Sequence, residues 1–286
     1  MWWLVSRQID ALETMPVSPY ARPTRWVLWL WAVAVLVFLY LPIAFLVLFS
    51  FNEPRTPGLP IVNLTLHWYE VAAGNSLLLE AVKNSIIVAV AVAFLATLIG
   101  TMAAFPLVRG GIRHADSVRI LATMPIMLPG ILLGIAMLIF FRRVLDLELS
   151  LLTVIAGHLV FTTPFVVLIV AARLQGFDQR LEWAAADLGA SPRQALRHVI
   201  LPLISPAIAA GALISVTLSI DEFIITFFTV GPQVTLPLYI YTQIKFGVTP
   251  EVNAVATVLL LATVALLFGS GLVLRAGRRL LRQGGT

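Results

Sequence analysis

Two adjacent carboxylates, Asp221 and Glu222, lie inside an otherwise apolar run that extends from Leu218 to Phe228 of the 286-residue chain. An acidic side chain at the centre of a membrane span costs about 2.5–3.5 kcal/mol on insertion scales, so such residues commonly face a cavity and serve a function. The structural alternative is an ion pair with an arginine or lysine of a neighbouring helix. Negative groups in this position favour a cation as the substrate.

The helical pitch separates these two carboxylates. Adjacent side chains on a helix diverge by about 100°, so Asp221 and Glu222 cannot face the same way. Glu222 shares a wedge about 80° wide with a set of small and polar residues, whereas Asp221 lies off it. The other members of this polar stripe are Gly211, Ser215, Ser219, Thr226 and Thr229. We expect the stripe to line a pathway in which Glu222 meets the substrate, and Asp221 to pair with a neighbouring helix or subunit.

Aromatic residues of the outer loops bear on the same chemistry. If the span begins near Leu203 on the inner side, Glu222 lies about 28 Å along the axis, towards the outer leaflet. A negative group there attracts a cation that enters from outside. Trp68, Tyr239 and Tyr241 could add cation–π attraction, and an aromatic belt at the membrane interface explains them equally well.

The segment 180–202 has the pattern of two short helices separated by a break. Apolar residues recur at helical spacing before Gly189, which supplies the left-handed conformation that ends a helix; they are Leu181, Ala184, Ala185 and Leu188. Ser191, Pro192 and Gln194 then predict a capping box that opens a second helix. Its face carries Arg193 and Arg197, and Pro202 marks a bend into the next span. The segment fits either a docking surface for a partner or an amphipathic connector on the membrane.

The composition requires that lipid surrounds these elements. The chain is 60% hydrophobic and 12% charged, with a mean hydropathy of +0.98. A span needs about 20 apolar residues to cross about 30 Å of hydrocarbon. Six stretches qualify, near 26–51, 84–108, 119–140, 150–172, 203–229 and 252–274. We therefore predict an all-α integral membrane protein with about six transmembrane helices, in which the first helix follows a polar tail (1–25) and is retained as an anchor. In the third span, Gly130 and Gly134 predict close helix packing.

The basic residues set the orientation, because lysine and arginine resist translocation. With the N-terminus inside, cytoplasmic segments hold 14 of the 19 basic residues, including a basic tail at 276–286. The outer segments hold the other five: Arg55, Lys83, Arg142, Arg143 and Lys245. Both termini are therefore predicted to be cytoplasmic. The scattered distribution of these charges argues against a nucleic-acid partner.

Several kinds of chemistry find no sequence support. The chain contains no cysteine, and neither of its two lysines, Lys83 and Lys245, belongs to a phosphate-binding loop. No metalloprotease motif is present, and His158 is expected to be packed and hydrogen-bonded rather than a metal ligand. We therefore predict a non-enzymatic chain with no catalytic or metal site and no cofactor of its own, so that any ATP and magnesium would be bound by a separate motor subunit.

The 180–202 segment resembles the EAA loop of ATP-binding-cassette (ABC) importer permeases. That pattern consists of Glu-Ala-Ala, three residues, Gly, nine residues and then Ile-x-Leu-Pro. Here Ala184, Ala185 and Gly189 fill their positions, and the closing part is Val199, Leu201 and Pro202. The glutamate position holds Trp183, preceded by Glu182, which points about 100° away. The resemblance implies that the loop docks the ATPase subunit. We predict that Trp183 makes an apolar contact there in place of the polar one.

A second likeness concerns the substrate. The run from Leu218 to Phe228, together with 236–241 and 245–254, is similar to the spermidine/putrescine permease subfamily, over roughly residues 80–275. The resemblance implies a type I ABC importer permease in the bacterial inner membrane, working with ATPase subunits, a second homologous or identical permease and a periplasmic binding protein. Where those relatives usually have Asp-Asp, this chain has Asp221 and Glu222.

Two other functions are compatible with the same residues, and a third is disfavoured. The chain could be an ABC permease for another small solute. It could be a secondary transporter with Asp221 or Glu222 as a proton relay, which would depend on the proton gradient and need no ATPase. A membrane-embedded hydrolase with the same acid pair is disfavoured, because adjacent side chains on a helix point apart.

Overall fold

The computed structural model describes residues 21–54, 58–111, 113–176, 178–246 and 250–265. Within these ranges the regular structure is helical, apart from an isolated bridge between Asn52 and Leu64. In chain order the helices are α1 (Ala21–Ser50), α2 (His67–Gly74), α3 (Ser76–Arg109), α4 (Ala115–Met127), α5 (Gly130–Ile139, continued by a π-helical turn over Phe140–Val144), α6 (Leu151–Gln175), α7 (Arg180–Asp187), α8 (Pro192–Ala195, continued by a π-helical turn over Leu196–Ile200), α9 (Leu201–Asp221), α10 (Ile224–Thr229), α11 (Leu236–Phe246) and α12 (Pro250–Ala265). The predicted all-α class is confirmed.

Helices α3, α6 and α9 pack together as the centre of the molecule. Val166 of α6 is buried in their shared apolar core and is approached by two glycines. A methyl group at Gly100 of α3 would lie 2.7 Å from the Val166 Cβ, and one at Gly211 of α9 would lie 3.1 Å from the Val166 Cγ1. Because neither glycine has a side chain, the three helices approach closely, and α6 packs directly against α9 at Gly211.

Four helical runs in the described part of the chain are long and apolar enough to cross a membrane: 26–50, 76–109, 151–175 and 192–221. The side chains of α1 from Trp26 to Ile43 are exposed, which fits a helix surrounded by lipid or by another subunit. Helix α12 ends its described part at Ala265, and the rest of the predicted sixth span lies outside the described residues. The tails 1–20 and 276–286 also lie outside them, so six spans and cytoplasmic termini stay predictions.

The third predicted span, 119–140, is not one straight helix. Two helical segments, Ser117–Met127 and Gly130–Val144, meet at an angle of 98°. Pro129 lacks a backbone N–H and forces Leu128, with ψ 135°, out of the helical region. The prediction of a continuous helix is therefore wrong at this point.

The outer segments contain more helix than the hydropathy pattern predicted. Helix α3 begins at Ser76 rather than near 84, because the Asn75 side chain accepts a hydrogen bond from the Leu78 N–H at 3.1 Å and caps it. The segment 52–82 thus includes α2 and the first turns of α3, and the segment 231–250 includes α11. These helices lie beyond the predicted spans, at the end of the bundle that the charge distribution predicts to be outside.

Candidate functional site

The fifth predicted span is interrupted at the two carboxylates. Helix α9 ends at Asp221, Glu222 has a non-helical backbone (φ −74°, ψ 98°), and α10 begins at Ile224. The Glu222 Oε1 atom accepts a hydrogen bond from the Ile225 N–H at 3.0 Å, so its carboxylate caps the new helix at the positive end of the helix dipole. The predicted continuous helix over 203–229 is wrong here, and the angular argument that set Glu222 apart from Asp221 no longer applies.

His158 of α6 connects both sides of this interruption. Its Nδ1 lies 2.9 Å from the Ser219 Oγ in α9, and its Nε2 lies 2.8 Å from the Thr226 Oγ1 in α10. The Thr226 hydroxyl donates its proton to the Glu222 carbonyl at 2.8 Å, so towards His158 it can only accept. The neutral imidazole therefore carries its proton on Nε2 and accepts the Ser219 hydroxyl proton at Nδ1. The expectation that His158 is packed and hydrogen-bonded is confirmed.

The polar stripe faces inward rather than towards open space. Ser215, Ser219 and Thr226 are all buried, the last two against His158. Hydroxyls in an apolar bundle are stabilised by partners across the helix interface, as Ser219 and Thr226 are here. A role of the stripe in lining a pathway stays a prediction. Ser219 and Thr226 hold the interruption in shape.

Asp221 is the more exposed of the two carboxylates, and Glu222 is half-buried. Asp221 lies in a small crevice of about 90 Å³ between α9 and α12, lined also by Val216, Thr217, Ile220, Leu259, Ala262 and Thr263. The expected pairing of Asp221 with a neighbouring helix or subunit stays a prediction, because no cationic side chain lines this crevice among the described residues. The crevice wall is mostly apolar, so the Asp221 carboxylate is its one charged group among the described residues.

Three aromatic rings meet next to the interruption, a contact that the sequence pattern did not reveal. Phe223 follows Glu222, and its ring centroid lies 4.7 Å from that of Tyr241 in α11. Phe227 of α10 contacts both, with centroids 5.7 Å from Phe223 and 6.2 Å from Tyr241. Tyr241 is 18 positions beyond Phe223 in the sequence, so only the return of α11 onto the bundle could reveal the pairing.

Of the three outer-loop aromatics named from the sequence, only Tyr241 is exposed. Trp68 is buried and donates from Nε1 to the Asn52 carbonyl at 2.8 Å. Tyr239 is also buried, and its hydroxyl lies 3.0 Å from the Asn75 Nδ2 and 3.3 Å from the Glu251 Oε1. Burial and the neighbouring Glu251 raise the pKa of the Tyr239 phenol, which therefore stays protonated and donates to Glu251. These bonds tie α11 to α3 and α12.

The segment 180–202 has the predicted helix–break–helix form. Helix α7 is followed by Gly189 with φ +85°, the left-handed conformation expected there. The Ser191 N–H donates to the Gln194 Oε1 at 2.8 Å, and the Gln194 N–H donates to the Ser191 Oγ at 3.4 Å, so the predicted capping box is confirmed. Pro202 follows the π-helical turn Leu196–Ile200, and the helix continues through it without the predicted bend.

The largest apolar side chains of α7 and the turn after it are exposed. Trp183 is 63% exposed and Leu188 is 89% exposed. Of the other residues assigned to docking, Ala184, Arg193, Arg197 and Pro202 are exposed, and Ala185 and Leu201 are partly buried. Glu182 points back into the chain and pairs with Arg109 at the end of α3 at 2.8 Å. The surface thus presents Trp183 and Leu188 outward while an ion pair holds α7 against the bundle.

The glycine pair in α5 packs as predicted. A methyl group at Gly134 would lie 2.6 Å from the Phe228 ring and 3.3 Å from the Ile224 carbonyl, and one at Gly130 would lie 3.6 Å from the Ile224 Cδ1. Helix α5 therefore contacts α10 at Ile224 and Phe228, and α6 contacts α10 at Ile225, which Gly157 approaches. The short helix after the interruption is held between two neighbours.

Comparison with known proteins gives a consistent result. The family profile described as "Binding-protein-dependent transport system inner membrane component" matches residues 96–283. The spermidine/putrescine transport system permease protein PotC of Escherichia coli strain K12 is 41% identical over 243 residues, which cover 85% of this chain and 91% of that protein. The putrescine transport system permease protein PotI of the same strain is 33% identical over 241 residues, 80% and 85% of the two chains.

Solved structures show the same fold at low sequence identity. A bacterial ABC transporter for import of the acidic polysaccharide alginate matches with a TM-score of 0.70 and 16% identity, over 92% of this chain and 99% of that one. The MetNI methionine ABC transporter in an inward-facing conformation matches with a TM-score of 0.60 and 23% identity, over 70% and 96%. The architecture is therefore that of an ABC importer permease.

Proposed function

The chain belongs to the family of inner-membrane components of binding-protein-dependent transport systems, and on this premise we propose that it carries polyamines, putrescine and spermidine, across the bacterial inner membrane. It is a multi-pass permease subunit of an ABC importer and does not itself hydrolyse ATP. The observation that supports the substrate class is the break in the fifth predicted span, where Asp221 ends α9 and Glu222 has a non-helical backbone, so that two carboxylates lie at the break. A polyamine carries several positive charges and pairs with such groups.

The interruption makes chemical sense for a pathway that must bind a cation briefly. The Glu222 carboxylate accepts a hydrogen bond from the Ile225 N–H, which fixes its position, while Asp221 remains exposed. In this proposal both carboxylates meet the substrate. The contacts of His158 in α6 with Ser219 and Thr226 hold the non-helical segment in place. Ser215 packs in the same buried layer of α9.

The partners follow from the family. We propose that two ATPase subunits, a second permease and a periplasmic binding protein complete the transporter, with ATP and magnesium bound by the ATPase subunits. The exposed face of α7 and the following turn, with Trp183 and Leu188 outward, would dock one ATPase. Since Glu182 pairs with Arg109, movement of the docked loop would pass directly to the inner end of α3.

The proposal is tested by removing the two charges in the complete transporter. The variants Asp221→Asn and Glu222→Gln, singly and together, are reconstituted with their partners, and uptake of radiolabelled putrescine and spermidine is measured with and without ATP. Loss of one partner of a desolvated charge pair commonly costs about 2–5 kcal/mol, so each single variant should lower uptake at limiting amine by tenfold or more. The control Glu148→Gln neutralises an exposed acid of an outer turn and should leave uptake unchanged.

The alternatives give different results. Normal polyamine uptake by the double variant would show that the two carboxylates do not bind the substrate. If the unmodified complex takes up no polyamine, the transporter carries another solute. Uptake that follows a proton gradient and ignores ATP would identify a secondary transporter.

A further inference from the structure

We propose that the rings of Phe223, Phe227 and Tyr241 form an ammonium-binding wall beside the interrupted helix, which holds one charged end of the amine while the carboxylates hold another. This inference rests on the proposed polyamine function and adds a second subsite to it. The three residues are called the aromatic wall below. They come from three parts of the chain: Phe223 from the α9–α10 connection, Phe227 from α10 and Tyr241 from α11.

The aromatic wall is not a buried core cluster. Phe227 is 49% exposed and Tyr241 is 44% exposed, although each contacts another ring of the wall. Phe223 and Tyr241 pack with centroids 4.7 Å apart and planes tilted by 38°, and Phe227 meets Tyr241 nearly edge-on at 78°. This arrangement leaves part of the ring surface open, and the open face of an aromatic ring is negative. A cation within about 6 Å of a ring centroid is attracted to it.

The position of Tyr241 is fixed by contacts away from the wall. Two residues earlier, Tyr239 is buried and bonds to Asn75 and Glu251, and Asn75 Nδ2 also donates to the Glu251 Oε1 at 2.8 Å. Helix α11 is thus anchored to α3 and α12 on one face and presents Tyr241 on another. A single ring in an interfacial belt needs no such support. A binding site gains affinity when its rings are already fixed in the bound arrangement before the ligand arrives.

The carboxylates can bind one ammonium group of an alkyl polyamine, and the aromatic wall can bind its methylene chain and the next ammonium group. Phe223 is two residues from Asp221, so their Cα atoms lie within about 7 Å. A linear amine has ammonium groups separated by short methylene chains. One ammonium can pair with a carboxylate while the methylenes and the next ammonium lie against ring surface, which attracts both apolar groups and cations. Spermidine has one more ammonium than putrescine and should depend more strongly on the wall.

The test uses the complete transporter in proteoliposomes with saturating loaded binding protein. Tyr241→Leu and Phe227→Leu remove ring faces and keep apolar bulk, whereas Tyr241→Phe keeps the ring. Tyr40→Leu is the matched control, because Tyr40 is an exposed tyrosine on α1, outside the wall. Uptake of spermidine and putrescine, and ATP hydrolysis stimulated by the loaded binding protein, are measured in parallel.

We expect Tyr241→Leu and Phe227→Leu to lower spermidine uptake about fivefold to tenfold, as loss of a partly desolvated cation–π contact implies. Putrescine uptake should fall less, stimulated ATP hydrolysis should stay within about twofold, and Tyr241→Phe and Tyr40→Leu should resemble the unmodified complex. Uptake by Tyr241→Leu equal to that of Tyr40→Leu would overturn the inference. So would an equal loss of uptake and ATP hydrolysis, or dissociation of the two permeases, since either indicates a packing role. If uptake depends on Asp221 and Glu222 but not on the rings, the polyamine function stands and the wall does not.

Discussion

Replacing His158 by leucine should weaken the attachment of the interrupted fifth span to α6. Leucine retains apolar bulk but removes the two contacts at 2.9 Å and 2.8 Å that reach Ser219 and Thr226. Hydrogen bonds between membrane helices contribute about 0.6 kcal/mol on average and up to about 1.7 kcal/mol each. Two such bonds give an expected loss of about 1–3 kcal/mol in the free energy of unfolding. Polyamine uptake should also fall, because the Glu222 segment loses its support.

A double-mutant cycle identifies the contact responsible. His158→Leu and Ser219→Ala remove the same bond, so the double variant should lose less than the sum of the singles, by about 0.6–1.7 kcal/mol. Thr257→Val is the control: the Thr257 hydroxyl bonds to the Asn253 carbonyl of its own helix, so its effect should add independently to that of His158→Leu. Equilibrium unfolding of the purified chain in mixed micelles measures each value. Additive losses for His158 and Ser219, or a loss below about 0.5 kcal/mol for His158→Leu, would refute the reasoning.

Two further predictions concern packing and docking. Gly134→Ala should destabilise the chain by about 1–3 kcal/mol in the same unfolding assay, because its methyl group would lie 2.6 Å from the Phe228 ring. Gly130→Ala should be nearly neutral, because its methyl group would lie 3.6 Å from Ile224. Equal losses of stability would contradict the packing of α5 on α10. Trp183→Ala should weaken association with the ATPase about tenfold or more in a pull-down titration, and Trp183→Glu should change it little if the position tolerates either chemistry. Trp29→Ala, on the exposed helix α1, is the matched control. Unchanged binding by Trp183→Ala would place this residue outside the interface.

Local sequence rules predicted the helix–break–helix form of the segment 180–202. Gly189, Ser191 and Gln194 act through the backbone of their own neighbours, so a left-handed residue and a capping box can be recognised without any tertiary contact. The same holds for the all-α class and for the location of most spans, because a bilayer demands long apolar helices whatever their packing. The glycines of α5 also revealed a close contact, although the partner, α10, could not be named.

The interruption at Glu222 could not be predicted in this way. A carboxylate beside an aromatic run has no strong helix-breaking tendency, and no proline or glycine marks the site. The unwound backbone is stable because Thr226 satisfies the freed Glu222 carbonyl, Glu222 caps α10 and His158 reaches across from a helix more than 60 positions earlier. In a medium without water, such freed groups must find partners inside the protein, and those partners are assembled only by folding.

The sequence by itself therefore determined the class of the protein, the helix–break–helix form of the segment 180–202 and the identity of the two acidic residues, because hydropathy, charge distribution and capping are properties of neighbouring residues. Tertiary structure decided how the acidic residues are presented: Asp221 exposed, Glu222 fixed as a helix cap, the polar stripe buried against α6, and Tyr241 placed on Phe223. Each of these depends on side chains brought together from distant helices. A periodic pattern on one helix specifies which face is polar, but only packing specifies what that face meets.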